Sequence, residues 1–289
     1  MIYVIMGPTC SGKTEVANYL IDKLNCDAIN FDAFQIYKDM DIGTAKISKN
    51  DPHYSRYHLL DIREPNETFS VMEYQTLCRA ELDKLKDKDV VLVGGTGLYV
   101  RAALYDYVFK FEENVDNSDL ESLTNEELWS LLKELDVEES KKIHQNNRKR
   151  LIRAVSLIRS SGVNKTEMLK EQKHQLIYKD VRFIFICPDR EKLYQSINTR
   201  VEQMFKDGLV DEVKSLADKY QLSLTATQGI GYKEVIQLLN NEVSKKECIE
   251  LIQKRTRNYA KRQVTFFKNQ FKFELFASKE AAIKGLSEE

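Results

Sequence analysis

The sequence predicts an α/β fold: a parallel sheet covered by helices, with a mostly helical insertion and a helical C-terminal part. Three observations predict it. Strand-like apolar runs alternate with helix-like patterns, the first alternation encloses a glycine-rich turn, and a long stretch between the fourth and fifth runs changes character.

Residues 2–6 form a short apolar run that enters the glycine turn, and residues 14–24 then place Val16, Ala17, Leu20 and Leu24 at the spacing of one helix face. Further runs at 28–31, 58–62 and 90–93, with a helical pattern at 71–85, read as alternating strands and helices, which implies parallel pairing. Residues 181–187 (VRFIFIC) are near-continuously apolar, as a strand buried on both faces must be, and supply a fifth strand. Roughly 85 residues separate the fourth and fifth runs, far more than an ordinary αβ connection uses. The expected organisation is therefore a core of residues 1–110 and 180–289 around a helical insertion at 111–179. The insertion opens acidic, with Glu112, Glu113, Asp116, Asp119, Glu121, Glu126 and Glu127, a segment without an assigned role beyond solvation. It then turns basic, and residues 141–165 contain no carboxylate. Beyond residue 187, helices are expected at 190–206, 210–219, 233–239 and 244–267, broken at Gly229-Ile230-Gly231.

The 289 residues are 42% hydrophobic and contain only 4 Pro and 11 Gly, which excludes wholesale disorder. Lys plus Arg (44) balance Asp plus Glu (45), so total charge argues neither for nor against nucleic acid. No export signal or bilayer-length apolar run is read, and five scattered cysteines suggest neither a disulfide framework nor a zinc site. A cytoplasmic protein with no membrane partner, acting as a monomer, is the expectation.

Gly7-Pro8-Thr9-Cys10-Ser11-Gly12-Lys13-Thr14 matches GxxxxGK[ST] between a strand and a helix. Backbone N–H groups and the helix N-terminus there cradle an anion, Lys13 adds a point charge, and the Thr14 hydroxyl can hold Mg²⁺. The pattern indicates a bound diphosphate or triphosphate and does not by itself indicate ATP hydrolysis. A P-loop NTPase usually ends a later strand in an aspartate. Here residues 90–93 run instead into Gly94-Gly95-Thr96-Gly97, either a tight turn or a second wall of the anion pocket. Asp32, at the end of the second run, is a general base, a metal partner or an ordinary cap. Gln35 offers the donor and acceptor that pair with an adenine edge. Asp61 reads as a cap or an outer-shell group, and residues 43–46 as a polar element of uncertain role. The last helix interleaves cations with aromatics, a pattern that suits RNA or a merely solvated helix face. Arg200 reads equally well as a surface residue.

The ordered set GPTCSGKT, DAFQIY, MDIGTAK, YHLLDI, VGGTGLYV, RKRLIRA, GIGYKE and TRNYAKRQVTFF resembles the bacterial tRNA dimethylallyltransferases, the isopentenyltransferase family acting on adenosine 37 beside the anticodon of tRNAs that read U-starting codons. The resemblance implies that Gly7, Thr9, Cys10, Ser11, Gly12, Lys13 and Thr14 hold the diphosphate of dimethylallyl diphosphate, with Thr14 on Mg²⁺. It implies that Asp32 is the base facing adenine N6, and that Thr96 and Arg200 reach the diphosphate. Asp32, Ala33, Phe34, Gln35, Lys149, Arg150, Arg153, Gln228, Gly229, Ile230, Gly231, Tyr232, Lys233 and the 257–263 stretch, with Arg257, Lys261 and Arg262, would contact the tRNA anticodon stem-loop. Ala33 stands where the family carries Ser, Lys149 where it carries Gln, Phe266 where Trp is usual and Cys10 where Ala is common. The rivals are an ATP-dependent small-molecule kinase and a non-catalytic RNA-binding module.

Overall fold

A computed structural model of the chain describes residues 1–109, 116–164, 166–168, 173–223 and 226–288. The chain divides into two compact units, Met1–Leu104 with Tyr178–Glu289, and Tyr105–Ile177.

In chain order the elements are β1 (Ile2–Met6), α1 (Lys13–Leu24), β2 (Asp27–Asn30), β3 (Tyr57–His58), α2 (Val71–Lys84), β4 (Val90–Gly94), α3 (Gly97–Leu104), α4 (Ser118–Ser122), α5 (Asn125–Leu135), α6 (Val137–Ser140), α7 (Arg148–Ser161), β5 (Val181–Ile186), α8 (Arg190–Lys206), α9 (Leu209–Lys219), α10 (Tyr232–Leu239), α11 (Lys245–Gln270), β6 (Glu274–Phe276) and α12 (Lys279–Ser287). The described strands form one six-stranded sheet in the order β3-β2-β4-β1-β5-β6, and every pairing is parallel. Ile2 lies opposite Val90 on one side and Val181 on the other.

Successive side chains of a strand point to opposite faces, and both faces are buried here. Ile5, Val91, Val93, Ile184 and Ile186 meet Val16, Ala17, Leu20 and Ile21 of α1 and Ala282 and Leu286 of α12. On the other face Phe183 and Phe185 pack on Phe271 and Phe267, with ring centroids 5.2 and 5.7 Å apart. The aromatics at the end of α11 thus belong to the core: Phe267 is fully buried, and Phe266 contacts it edge-on.

Three features differ from the sequence expectation. β3 stops after two residues because Leu59 and Asp61 adopt left-handed backbone (φ 59° and 53°), which no strand continues through. The second glycine turn leads straight into α3, which was not expected. β6 and α12 were not expected either, and β6 is a three-residue edge strand.

In the second unit Leu120, Leu128, Leu132, Ile143, Leu151, Ala154 and Val155 form a separate core. Its acidic opening acquires a structural role. Asp119 binds Arg159 at 2.8 Å, Glu127 completes a capping box with Thr124 at the start of α5, and Arg148 donates to the carbonyls of Leu120, Glu121 and Leu123. Of the acidic residues, Asp119 joins α4 to α7 and Glu127 caps α5. Glu112, Glu113 and Lys165 lie outside the described residues.

Candidate active site

The carboxyl ends of parallel strands share one edge of a sheet, and turns leaving that edge converge. β1 leads into the phosphate loop, β2 into Asp32 and β4 into Gly95-Thr96. The phosphate loop, Asp32 and, from the end of β4, Val93 and Gly94 bound a cavity of about 470 Å³ in the first unit. Gly12 caps α1 with φ 85°, a left-handed conformation that glycine adopts without strain, and Cys10 holds φ 63° inside the loop. The buried Ser11 Oγ has no hydrogen-bond partner among the described residues.

Thr9, Cys10, Ser11, Gly12, Lys13 and Thr14 all line the cavity, and so do Asp32, Phe34, Gln35 and Arg200. Arg200 had no address in the sequence beyond the resemblance. α8 delivers it to the loop, where Nη1 donates to Thr9 Oγ1 at 3.2 Å and to Cys10 Sγ at 3.4 Å. Lys13 Nζ donates to the Pro8 carbonyl at 2.7 Å. Burial, aided by Arg200 and opposed by Asp32, lowers the Lys13 ammonium to about 8. Burial also raises the Asp32 carboxyl above its ordinary value, against the N–H groups of Phe34 and Gln35 and the charge of Lys13. Its Oδ1 accepts from Phe34 N–H at 3.0 Å. The wall therefore pairs a carboxylate of increased basicity with cations across the same cavity.

Thr96 and Gly7 lie outside the lining; the Thr96 hydroxyl accepts from the Ala33 N–H at 3.0 Å and so ties the β4 turn to the Asp32 segment. Gln263, placed by the resemblance among the RNA contacts, is buried and bridges the two glycine turns. Its Oε1 accepts from Thr9 N–H and its Nε2 donates to the Gly95 carbonyl, both at 2.9 Å. Gln228, Gly229, Ile230, Tyr232 and Arg262 reach the cavity, and Tyr259 joins them from α11. Gly231, Lys233, Arg257 and Lys261 do not line it. Arg257 donates to Asn198 Oδ1 at 2.5 Å. Lys149, Arg150 and Arg153 are exposed on α7 of the second unit.

Sequence reasoning missed the polar frame behind these walls. Lys46 is buried, and its Nζ donates to Asp61 at 2.6 Å, to Asp41 at 2.7 Å and to the Tyr37 carbonyl at 2.6 Å. Asp61 is thus the counter-charge of a buried lysine and caps no helix. The residue-type signal for such a pair, a lysine and two aspartates at irregular spacing, is indistinguishable from a solvated surface.

A parallel sheet, a GxxxxGK[ST] loop on its first turn and a cavity beside that loop define a P-loop α/β protein. The family model described as IPP transferase matches residues 35–270, and the chain belongs to that family. A tRNA dimethylallyltransferase of Anoxybacillus flavithermus is 43% identical over 279 residues, covering 95% of this chain and 89% of the relative. That of Bacillus subtilis is 38% identical over 283 residues, covering 95% and 90%. Among solved structures, a tRNA delta(2)-isopentenylpyrophosphate transferase from Staphylococcus epidermidis superposes with a TM-score of 0.73 at 32% identity over 99% of this chain and 97% of that one. A eukaryotic dimethylallyltransferase acting on tRNA reaches a TM-score of 0.82 at 27% identity over 96% and 74%.

Proposed function

We propose that the chain transfers the dimethylallyl group of dimethylallyl diphosphate to N6 of adenosine 37 in tRNAs that read U-starting codons. The observation that carries the reading is the cavity in which Lys13 and Arg200 face Asp32 across the phosphate loop, on a chain whose relatives at about 40% identity bear the name tRNA dimethylallyltransferase. An adenine amine is a weak nucleophile because its lone pair is delocalised, so activation falls on the electrophile. As N6 bonds to the allylic carbon, the C–O bond breaks and its electron pair leaves on the diphosphate. Lys13, Arg200 and the loop N–H groups would stabilise that growing charge. The N6 proton passes to Asp32, whose raised pKa suits it to accept.

The described residues contain no cluster of three or more His, Cys, Asp or Glu that could hold a metal unaided. A Mg²⁺ ion fits nonetheless, since magnesium keeps its waters and binds through one or two protein groups plus substrate phosphates. Thr14, which lines the cavity, is the residue whose hydroxyl would hold it. Bound there, the ion would neutralise diphosphate charge.

Residues 111–179, with Lys149, Arg150 and Arg153, take the tRNA together with the basic face of α11 and the 228–233 segment. The protein works as a monomer in the cytoplasm; none of its described helices is long and apolar enough to cross a membrane. The kinase alternative shares the phosphate loop, yet β4 ends in Gly94 without the aspartate that such enzymes use.

The test is incubation with Mg²⁺, labelled dimethylallyl diphosphate and unmodified tRNA, beside a reaction with labelled ATP and kinase substrates. Label should enter tRNA only where adenosine occupies position 37. Phosphoryl transfer from ATP with unlabelled tRNA would replace this reading by the kinase.

A further inference from the structure

Gln35 reaches the cavity wall, but its amide is not free to face it either way. Nε2 donates to the carbonyls of Thr44 and Ala45 at 3.2 and 3.4 Å. Two carbonyl oxygens can be met only by the NH₂ end of an amide, so the orientation is set and Oε1 remains as an acceptor, which takes no hydrogen bond from a described residue. Bidentate pairing with an adenine edge, expected from residue type, is therefore closed to it. What remains is one acceptor on a residue that lines the same cavity as Asp32.

The carbonyls that set Gln35 belong to a short loop whose own position is imposed from α9. The Glu212 carboxylate accepts the N–H groups of Asp41 (3.0 Å), Ile42 (2.7 Å) and Gly43 (3.1 Å), and also the Tyr232 hydroxyl at 2.7 Å. Three successive backbone donors converging on one carboxylate form a nest of the kind that binds anions. Gly43 packs so closely that a Cβ there would lie 2.6 Å from the Tyr232 ring. Glu212 does not itself line the cavity.

We propose that Glu212 is a positioning residue for base selection: it holds the 41–45 loop so that Gln35 presents an acceptor, and the pocket thereby reads adenine by its amino hydrogens. The inference rests on the adenine-binding reading above. A base with a 6-oxo group would meet two acceptors with a third, and one lacking the 6-amino group would leave both unmet. An unmet buried acceptor is the more costly case for selectivity, because its desolvation is not recovered.

The experiment measures affinity for anticodon stem-loops carrying adenosine or purine riboside at the target position, in the wild type, E212A, E212Q, Q35A and E212A/Q35A. Binding needs no prenyl donor, so the result stands apart from whether the protein transfers prenyl groups. Wild type should prefer adenosine by about tenfold, the equivalent of one well-placed hydrogen bond. E212A should lose most of that preference, and E212Q part of it, since an amide cannot accept from all of these donors. In the Q35A background E212A should add little, because both changes act through the same acceptor. The KM for dimethylallyl diphosphate should remain within about twofold in E212Q, measured alongside prenyl transfer. Equal loss of affinity for both stem-loops, or an undiminished effect of E212A in Q35A, would overturn the proposal and make Glu212 merely structural. If selectivity follows the expected pattern while tRNA is never prenylated, the positioning role stands and the transferase reading falls.

Discussion

In the proposed transfer, Asp32 and Lys13 would set opposite limits on the working pH range. Burial raises the Asp32 carboxyl, so the base becomes available only above the range of an ordinary aspartate. Burial lowers the Lys13 ammonium to about 8, so the charge aimed at the diphosphate is lost as pH rises through that value. The kcat/KM for dimethylallyl diphosphate should therefore be bell-shaped, with its alkaline limb near 8 in the free enzyme. Bound diphosphate favours the charged lysine, so the alkaline limb of kcat should lie higher. Asp32→Ala should lower kcat by about 10² to 10⁴ and abolish the acid limb, while stem-loop affinity falls by no more than the about tenfold of one lost hydrogen bond to N6. Single-turnover transfer followed from pH 5 to 10 would separate these effects, and a mutant with near-normal turnover would remove Asp32 from the proton transfer. The same shift has a stability consequence whose sign is fixed by linkage. A lysine with a lowered folded pKa opposes folding while it is charged, and the penalty fades as pH rises through about 8 towards the unfolded value. The loop's chemistry and its stability therefore pull in opposite directions at neutral pH.

At the scale of elements, the short loop after β2 is held by charge where regular structure is absent. Lys46 is buried between Asp61, whose side chain is only 13% exposed, and the more exposed Asp41. Tyr54 adds its hydroxyl to Asp61 at 2.5 Å. Removing one member of such a cluster leaves the other charge without compensation, so Lys46→Met should cost about 3 kcal/mol, while adding Asp61→Asn should recover part of it. Urea denaturation of the two variants would check this, and an additive loss would show that the charges are not coupled. This cluster also marks where the sequence stops being legible. β1 follows from its near-continuous apolar run, α1 from the helical spacing of the residues it buries on the sheet, and α8 from the spacing of Leu193 and Ile197, which pack against Ala260 of α11. The loop over residues 31–63 is decided by a few polar contacts between distant positions, and spacing carries no trace of them. The run at 58–62 has the apolar composition of a strand, but Leu59 and Asp61 turn left-handed to bring Asp61 under Lys46. Gln263 shows the same limit at the site. Its place in a basic, aromatic-rich helix suggested RNA, whereas its amide joins two loops 168 residues or more away in sequence. The phosphate loop was legible because its backbone geometry demands its residues locally; Arg200 was not, because only the packing of α8 brings it near.

For the whole molecule, a net charge of -1 means that no overall field draws RNA to the protein, so any electrostatic attraction must come from local groups of cations. Two such groups exist on separate units. On α7, Arg148 and Arg159 bind α4 and its flanks, and Lys149, Arg150 and Arg153 are exposed to solvent. On α11, Lys254, Lys261 and Lys268 are exposed, while Arg255 pairs with the buried Glu234. If tRNA is gripped by both units, each phosphate contact contributes about 0.7 to 0.9 to the slope of log affinity against log salt. Changing the three α7 cations to Gln should then flatten the slope by about 2, and changing the three α11 lysines should do the same. The combined variant should lose the sum, since counterions released at different phosphates are independent. None of the six lines the cavity, so kcat at saturating tRNA should hold while KM rises. Filter binding of the anticodon stem-loop between 50 and 300 mM salt decides the matter. A slope that responds only to the α11 set would mean that the second unit does not touch the RNA backbone, and a slope indifferent to both would leave only the cavity rim to hold the substrate.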